Sequence, residues 1–189
     1  MFRDASLGWT GGVVYDFQAN VHAGVFGSSP SMGQMRGQIG YTFRGHNQFG
    51  LFATYDTGTT TSQIGSLSVQ FRAISQINAF WMHTFKNQGW MTLWAGTPYR
   101  KGLMFPSGRA GTFIVGAGFK APLTGCLSVE GHAVYMGAHG DADYPGSHNY
   151  ASNVSVGLSY AFGSKQIGAR PYMSLGNNSN FLVDTNMNY

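Results

Sequence analysis

The sequence predicts an all-β protein, an antiparallel up-and-down transmembrane β-barrel with eight visible strands. Three observations predict it: a hydrophobic period of two, connections that alternate in length, and a scarcity of charge. Charged residues make up 10% of the 189 residues, against roughly a quarter in soluble domains. Aromatic residues reach 15%, which argues against disorder. We therefore expect one folded unit with an unusual surface.

The period of two begins near the N-terminus. Val13, Tyr15 and Phe17 occupy odd positions, while Asp16 and Gln18 occupy even ones. This alternation is typical of a strand with one apolar and one polar face. Several strands reach about ten residues, the length that a tilted strand needs to cross a bilayer. The predicted strands are 13–25, 36–44, 49–56, 69–85, 89–97, 111–120, 126–137 and 151–162.

The connections alternate between short and long. Residues 44–48, 86–89 and 121–125 are tight, whereas 27–34, 57–67, 97–110 and 138–150 are long. Short turns and long loops therefore lie at opposite ends of the barrel, as in bacterial outer-membrane proteins. No apolar run approaches the ~18 residues of a membrane-spanning helix, and an apolar signal-peptide core is absent from the first residues. We interpret the latter as a removed signal or a start partway into a longer protein.

Aromatic residues are expected to form two girdles on the apolar face. The girdle near the short turns would contain Phe43, Phe49, Phe85, Trp90, Phe119 and Phe162, and the one near the long loops Tyr55, Trp94, Phe113 and Tyr135.

The opposite face is expected to line the interior with polar residues: Asp16, Gln18, Asn20, His22, Arg36, Gln38, Arg44, Asp56, Gln70, Arg72, Gln76, Asn78, Lys120, Glu130 and His132. An eight-stranded lumen is barely wide enough for side chains, so a filled interior is favoured over a channel. The same face also carries apolar residues, namely Phe52, Ile74, Phe80, Met82, Leu93, Ile114, Val134 and Met136. A soluble lipocalin-like barrel remains an alternative.

Candidates for chemistry are few. Ser128, Glu130 and His132 share a strand face, but Ser128 and His132 would stand ~13 Å apart, too far for proton transfer. A triad would need His22 or His83 from other strands. The loop at 138–150 contains His139, Asp141, Asp143 and His148 in a spacing that fits neither calcium nor zinc sites. We expect no catalytic, cofactor or metal site, and the scattered Lys and Arg argue against nucleic-acid binding.

Residues 155–162, Ser-Val-Gly-Leu-Ser-Tyr-Ala-Phe, resemble the closing-strand signal read by the outer-membrane insertion machinery. Ser155, Gly157, Tyr160 and Phe162 carry the resemblance, which is to the last strand of outer-membrane protein A-like barrels. Residues 170–184 are similar to the C-terminal end of an uncharacterised family of large bacterial outer-membrane barrels. This resemblance implies an outer-membrane location and additional strands before residue 1.

The expected organisation is a barrel over residues 1–162 and a C-terminal periplasmic tail over 163–189. The expected function is a structural or passive pore role in the bacterial outer membrane, without enzymatic activity. Its partners would be outer-membrane lipid and the insertion machinery. The alternatives are recognition of an unidentified extracellular partner through the long loops and, third, a lipid-modifying enzyme.

Overall fold

The protein is all-β in the computed structural model, which describes residues 2–3, 8–19, 30–104, 108–141, 144–162 and 181–188. Within these residues twelve strands form two antiparallel sheets. In the described part of the chain, no helix has the length and apolar character that a membrane crossing requires. The strands are β1 (Phe2–Arg3), β2 (Gly8–Ala19), β3 (Ser31–Phe43), β4 (Asn47–Asp56), β5 (Thr59–Ile64), β6 (Leu67–Ala73), β7 (Gln76–Thr84), β8 (Trp90–Pro98), β9 (Ile114–Pro122), β10 (Leu127–Asp141), β11 (Tyr144–Tyr160) and β12 (Val183–Asn188).

The larger sheet is a curled half-barrel with the strand order β1-β2-β3-β4-β7-β8-β9-β10-β11. Apart from the β4–β7 step, each strand pairs with its neighbour in the chain, as hairpins require. Tight turns join several pairs, and Arg44, Gly45 and Gln88 adopt positive φ angles in two of these turns. This end of the sheet is called the turn end, and the opposite end the loop end.

The smaller sheet has the order β12-β6-β5 and lies at the loop end. The β5–β6 hairpin connects the loop ends of β4 and β7. β12 pairs with β6 over six residues, from Val183 opposite Ala73 to Asn188 opposite Ser68. Residues 181–188 of the predicted tail are thus part of the fold at this end.

The predicted all-β, antiparallel class is confirmed, and each of the eight predicted strands overlaps a long strand of the half-barrel. The single strand predicted over 69–85 is wrong, because the chain breaks at Ile74 and Ser75 into strands of different sheets. The Ile74 amide donates to the Leu182 carbonyl at 2.8 Å, and the Ser75 hydroxyl donates to Asp56 at 2.7 Å. The apolar residues keep the same parity on both sides of the break, so the alternation does not reveal it.

Two predicted loops contain regular structure. Residues 57–67 contain β5, and residues 138–150 are largely the extended ends of β10 and β11. These segments are polar and rich in glycine, serine or threonine, which hid their pairing.

The predicted orientation of β8 is also wrong. Trp90 and Trp94 are buried on the concave side, whereas Leu93 is exposed on the convex side. Trp94 lies opposite Phe80, and its indole occupies the space over Gly116, where a Cβ would come within 2.2 Å of the ring. Bulky apolar residues occur at both parities in this strand, so alternation alone could not orient it.

The concave side of the half-barrel is packed. Apolar side chains from β4 and β7–β10 pack against Ile74 and Leu182, which lie next to the ends of β6 and β12. The cluster comprises Phe52, Ile74, Phe80, Met82, Trp94, Ala110, Ile114, Val134, Met136 and Leu182. A second cluster, Met32, Ala73 and Phe181, joins the small sheet to β3.

Candidate functional site: an apolar convex surface around a filled interior

The convex face of the half-barrel exposes large apolar side chains on every long strand. On β11, Val156 and Leu158 are 71% and 72% exposed, and on β4 Leu51 is 50% exposed. Soluble monomers rarely expose a contiguous apolar surface of this kind. Members of the surface include Val13, Phe17, Ile39, Leu51, Ile77, Leu93, Val115, Val154, Val156 and Leu158.

Aromatic rings form a belt on this face near the turn end. Trp9 packs edge-on against Tyr41 with ring centroids 5.4 Å apart, and Phe43 stacks on Phe49 at 5.5 Å. Phe49 in turn stacks on Trp81 at 6.4 Å. Cross-strand register produces these contacts, because Trp9, Tyr41, Phe49 and Trp81 lie in one row across four strands. Phe85, Phe119 and Phe162 are exposed toward the same end.

A second belt lies toward the loop end. Tyr15 and Tyr55 flank Met35 in one row, and Phe113 contacts Tyr135 at 6.0 Å. The guanidinium of Arg100 lies 5.2 Å from the Tyr55 ring centroid. Between the belts the convex face carries aliphatic and small residues.

From β2 to β4 each belt follows a single row, whereas from β4 toward the β11 edge both belts shift in the same direction. Following the register from Phe49 on β4 across five strand pairs leads to Val154 on β11. The belt residue on β11 is instead Tyr160, which lies six residues closer to the turn end. Following the register from Leu51 on β4 across four strand pairs leads to Tyr135, the belt residue on β10. On β4 the belt residue is Tyr55, four residues closer to the loop end, so this belt also shifts toward the turn end from β4 to β10. About one residue per strand corresponds to a strand tilt of roughly 35°. Two level belts on tilted strands have this geometry.

The concave face near β2 and β3 holds a buried ion pair. The Arg36 guanidinium lies 3.0 Å from an Asp16 carboxylate oxygen, and both side chains are nearly inaccessible to solvent. The Gln34 amide donates to the other Asp16 oxygen at 3.1 Å. The alternation predicted Asp16 and Arg36 on this face, but only the β2–β3 register brings them together. Removing either ion would leave a charge without its counter-ion in a dry environment.

A second polar group lies at the loop end. The Asp56 carboxylate accepts a hydrogen bond from the Ser75 hydroxyl at 2.7 Å and forms an ion pair with Arg100. Tyr99, just after β8, donates to the Thr54 carbonyl at 2.9 Å, and burial raises the pKa of its phenol. Arg100 and Ser75 were missed by the sequence analysis because they lie in loops without alternation.

Asp184 of β12 binds the small sheet together through its carboxylate. Its carboxylate lies 3.3 Å from the Arg72 guanidinium and accepts the Leu103 amide at 2.7 Å. Arg72, predicted to line the lumen, is thus in the small sheet, as is Gln70. Asp184 was also missed, because 112 residues separate it from Arg72.

The other predicted lumen residues occupy varied positions. Gln76 and Asn78 are buried and bonded to each other at 2.9 Å, while Gln18 and Gln38 are half-buried. Lys120 pairs with the half-exposed Glu130 at 3.4 Å. Arg44 is exposed in a turn. Asn20 and His22 lie outside the described residues.

The candidate catalytic residues that the structure describes do not assemble into a triad, and His22 lies outside them. Ser128 is buried near the turn end, whereas His132 contacts Ser155 of β11. Ser155 Oγ lies 3.0 and 3.1 Å from the two ring nitrogens of His132, so it faces the ring edge between them. His83 instead contacts Asn47 at 2.9 Å. This arrangement does not align a base with a nucleophile.

The candidate metal loop lies largely outside the description. Asp143 and the side chains of His139, Asp141 and His148 are not among the described groups. Among described residues, no group of three or more His, Cys, Asp or Glu could hold a metal ion.

The residues of the predicted insertion signal lie along β11 and just beyond it. Ser155 and Gly157 are on the concave side, and Tyr160 and Phe162 are on the convex side with rings 4.9 Å apart. Phe162 is 88% exposed at the turn end.

A family model for a family of unknown function, DUF6666, matches residues 1–183. No curated protein and no solved structure matches the chain.

Proposed function

The chain belongs to DUF6666, a family of unknown function, and we propose that it forms a structural transmembrane β-barrel of the bacterial outer membrane. The observation that carries the proposal is the pair of tilted aromatic belts enclosing an apolar band on the convex face. Rings at both interfaces and aliphatic side chains between them match the solvent profile of a bilayer.

A structural role is favoured over a passive pore by the packed interior. Phe80, Trp94, Ile114 and Met136 occupy the concave side, and buried ion pairs occupy the rest. This packing supports a structural role over a continuous water column through the interior.

Closure of the barrel requires a partner for the outer edge of β11, which pairs with no other described strand, since unpaired backbone groups carry a high free-energy cost in hydrocarbon. β11 runs antiparallel to β2, and among the described residues β1 pairs with β2 at Gly11 and Gly12. Extending the drift of about one residue per strand measured from β4 to β11 over all eight strands gives a shear near eight, which pairs Val156 with Tyr15. In this register Ser159 and Tyr160 lie opposite Gly12 and Gly11, so closure replaces the β1 pairing there.

The closure is tested with cysteines at these two positions in a Cys126→Ser background. We expect Tyr15→Cys with Val156→Cys to form an intramolecular disulfide under oxidation. The matched pair Tyr15→Cys with Val115→Cys, also on the convex face, should not. A disulfide-linked dimer, or equal reaction of both pairs, would contradict closure within one chain.

The membrane placement is tested by gel mobility in detergent and by cell fractionation. A folded barrel should migrate faster unheated than boiled and should sediment with outer membranes. A chain that remains soluble without detergent would refute the placement. Absence of ion conductance in planar bilayers is expected, and a steady conductance would favour the pore.

Recognition of an extracellular partner is a second candidate function, favoured by the small sheet at the loop end. β5 is an edge strand that exposes Thr59, Thr61 and Gln63, and such an edge can accept an added strand. Replacing Thr61 with Pro should abolish capture of a partner at the cell surface without changing insertion.

A further inference from the structure

A groove of about 610 Å³ lies in the apolar band of the convex face. Val13, Ile39, Leu51 and Ile77 form its walls, and Gly11 and Gly37 lie in its floor. Gln38 and Phe52 direct their side chains to the opposite face by alternation and Gly12 has none, so all three contribute main chain.

Gly37 is the reason that the groove is open. A Cβ built on Gly37 would meet no atom within 4 Å, and Gly37 is not among the glycines with positive φ. Neither packing nor backbone conformation therefore requires glycine here. Glycine inside a strand costs roughly 0.5 to 1 kcal/mol relative to alanine, and it often marks close approach of a ligand.

The position of the groove indicates the chemistry of its occupant. The row of Tyr41 and Phe49 lies on its turn side, and the row of Tyr15 and Tyr55 lies on its loop side. None of the described residues that line it is charged. It crosses four strands, about 14 Å between the outer strand axes.

We propose that this groove is a binding site for one acyl chain of a membrane lipid. The inference rests on the proposed membrane placement and adds a specific site to it. The chain lies against the bare main chain at Gly37 and contacts the four aliphatic walls. Retention comes from close packing, because hydrocarbon offers no hydrophobic driving force.

The test uses the full chain refolded into vesicles of phosphatidylethanolamine and phosphatidylglycerol and then extracted in mild detergent. Native mass spectrometry counts the lipids that each protein retains. We expect one retained lipid for the native chain and about tenfold lower retention for Gly37→Phe, since a filled groove loses many dispersion contacts. Gly37→Ala should retain an intermediate amount.

Ala133→Phe is the matched control, because Ala133 is exposed on the convex face outside the groove. It should retain lipid like the native chain. Equal retention by Gly37→Phe would overturn the site, as would a native dimer that Gly37→Phe dissociates, since a second copy would then cover the groove. The heat-induced gel shift separates the two proposals: a native chain that fails to insert overturns the membrane placement itself.

Discussion

The convex and concave faces of the half-barrel invert the usual relation between burial and polarity. The convex face exposes Leu51, Val156 and Leu158, whereas the concave face buries Asp16, Arg36 and Asp56. In a water-soluble protein both arrangements would be costly. The difference is the one that the proposed membrane placement expects: an apolar surface suited to lipid outside, and paired polar and apolar side chains inside.

The largest expected effect comes from breaking the buried ion pair inside. Asp16→Ala leaves the Arg36 guanidinium without its counter-ion, which should reduce the free energy of unfolding by about 3 to 5 kcal/mol. Urea titration of the vesicle-inserted protein measures it. Lys120→Met removes a more exposed pair with Glu130 and should change stability by about 0 to 1 kcal/mol. Equal effects of the two would show that the concave face is wet.

Adding a charge outside should have the next largest effect. Val115 lies between the belts on β9, and Val115→Arg should cost about 2 to 4 kcal/mol if that position faces the bilayer midplane. The readout is the inserted fraction and the urea midpoint. Thr61→Arg, in the exposed β5 strand, is the control. A neutral Val115→Arg would mean that the convex face meets water.

Weakening the contacts of β12 in the small sheet should reduce the free energy of unfolding by a smaller amount. Asp184→Asn weakens the bond to Arg72 and the acceptor for the Leu103 amide, so we expect a loss of about 1 to 3 kcal/mol. Hydrogen exchange should accelerate in β12 and β6 while the half-barrel stays protected. Uniform acceleration would instead indicate that both sheets unfold as one unit.

The smallest change in the free energy of unfolding is expected from removing one aromatic ring from a belt. Phe49→Ala removes ring contacts with Phe43 and Trp81, worth about 0.5 to 1.5 kcal/mol beyond burial. Phe49→Trp should restore stability, because an interfacial indole suits the same position. If Phe49→Trp were as damaging as Phe49→Ala, the belt would be a packing feature rather than an interfacial one.

Alternation oriented the strands in which one parity is mainly apolar and the other is mainly polar or glycine. β3, β4 and β9 are of this type, although each has one buried apolar residue on the concave parity, and Ile39, Leu51 and Val115 face outward as predicted. β8 could not be oriented, because Trp90, Leu93 and Trp94 place bulk at both parities. A pattern within one strand carries no information about the partner strand that decides the orientation.

The candidate site was predicted as a face but not as a set of contacts. Asp16 and Arg36 were both expected inside, yet their pairing depends on register, which the turn geometry and neighbouring strands determine. The pairing of β12 with β6 had no sequence signal, since Val183–Asn188 is short and largely polar. Long-range partners of this kind are visible only in three dimensions.

The bond between Arg72 and Asp184 also bears on the order of folding. Most strands of the half-barrel pair with a chain neighbour, so each hairpin closes a short loop of modest entropic cost. The contact between β6 and β12 closes a loop of 112 residues and brings together segments from the middle and last thirds of the chain. We therefore expect the pairing of β12 with β6 to form last, and protection of β12 from exchange would time the completion of the small sheet.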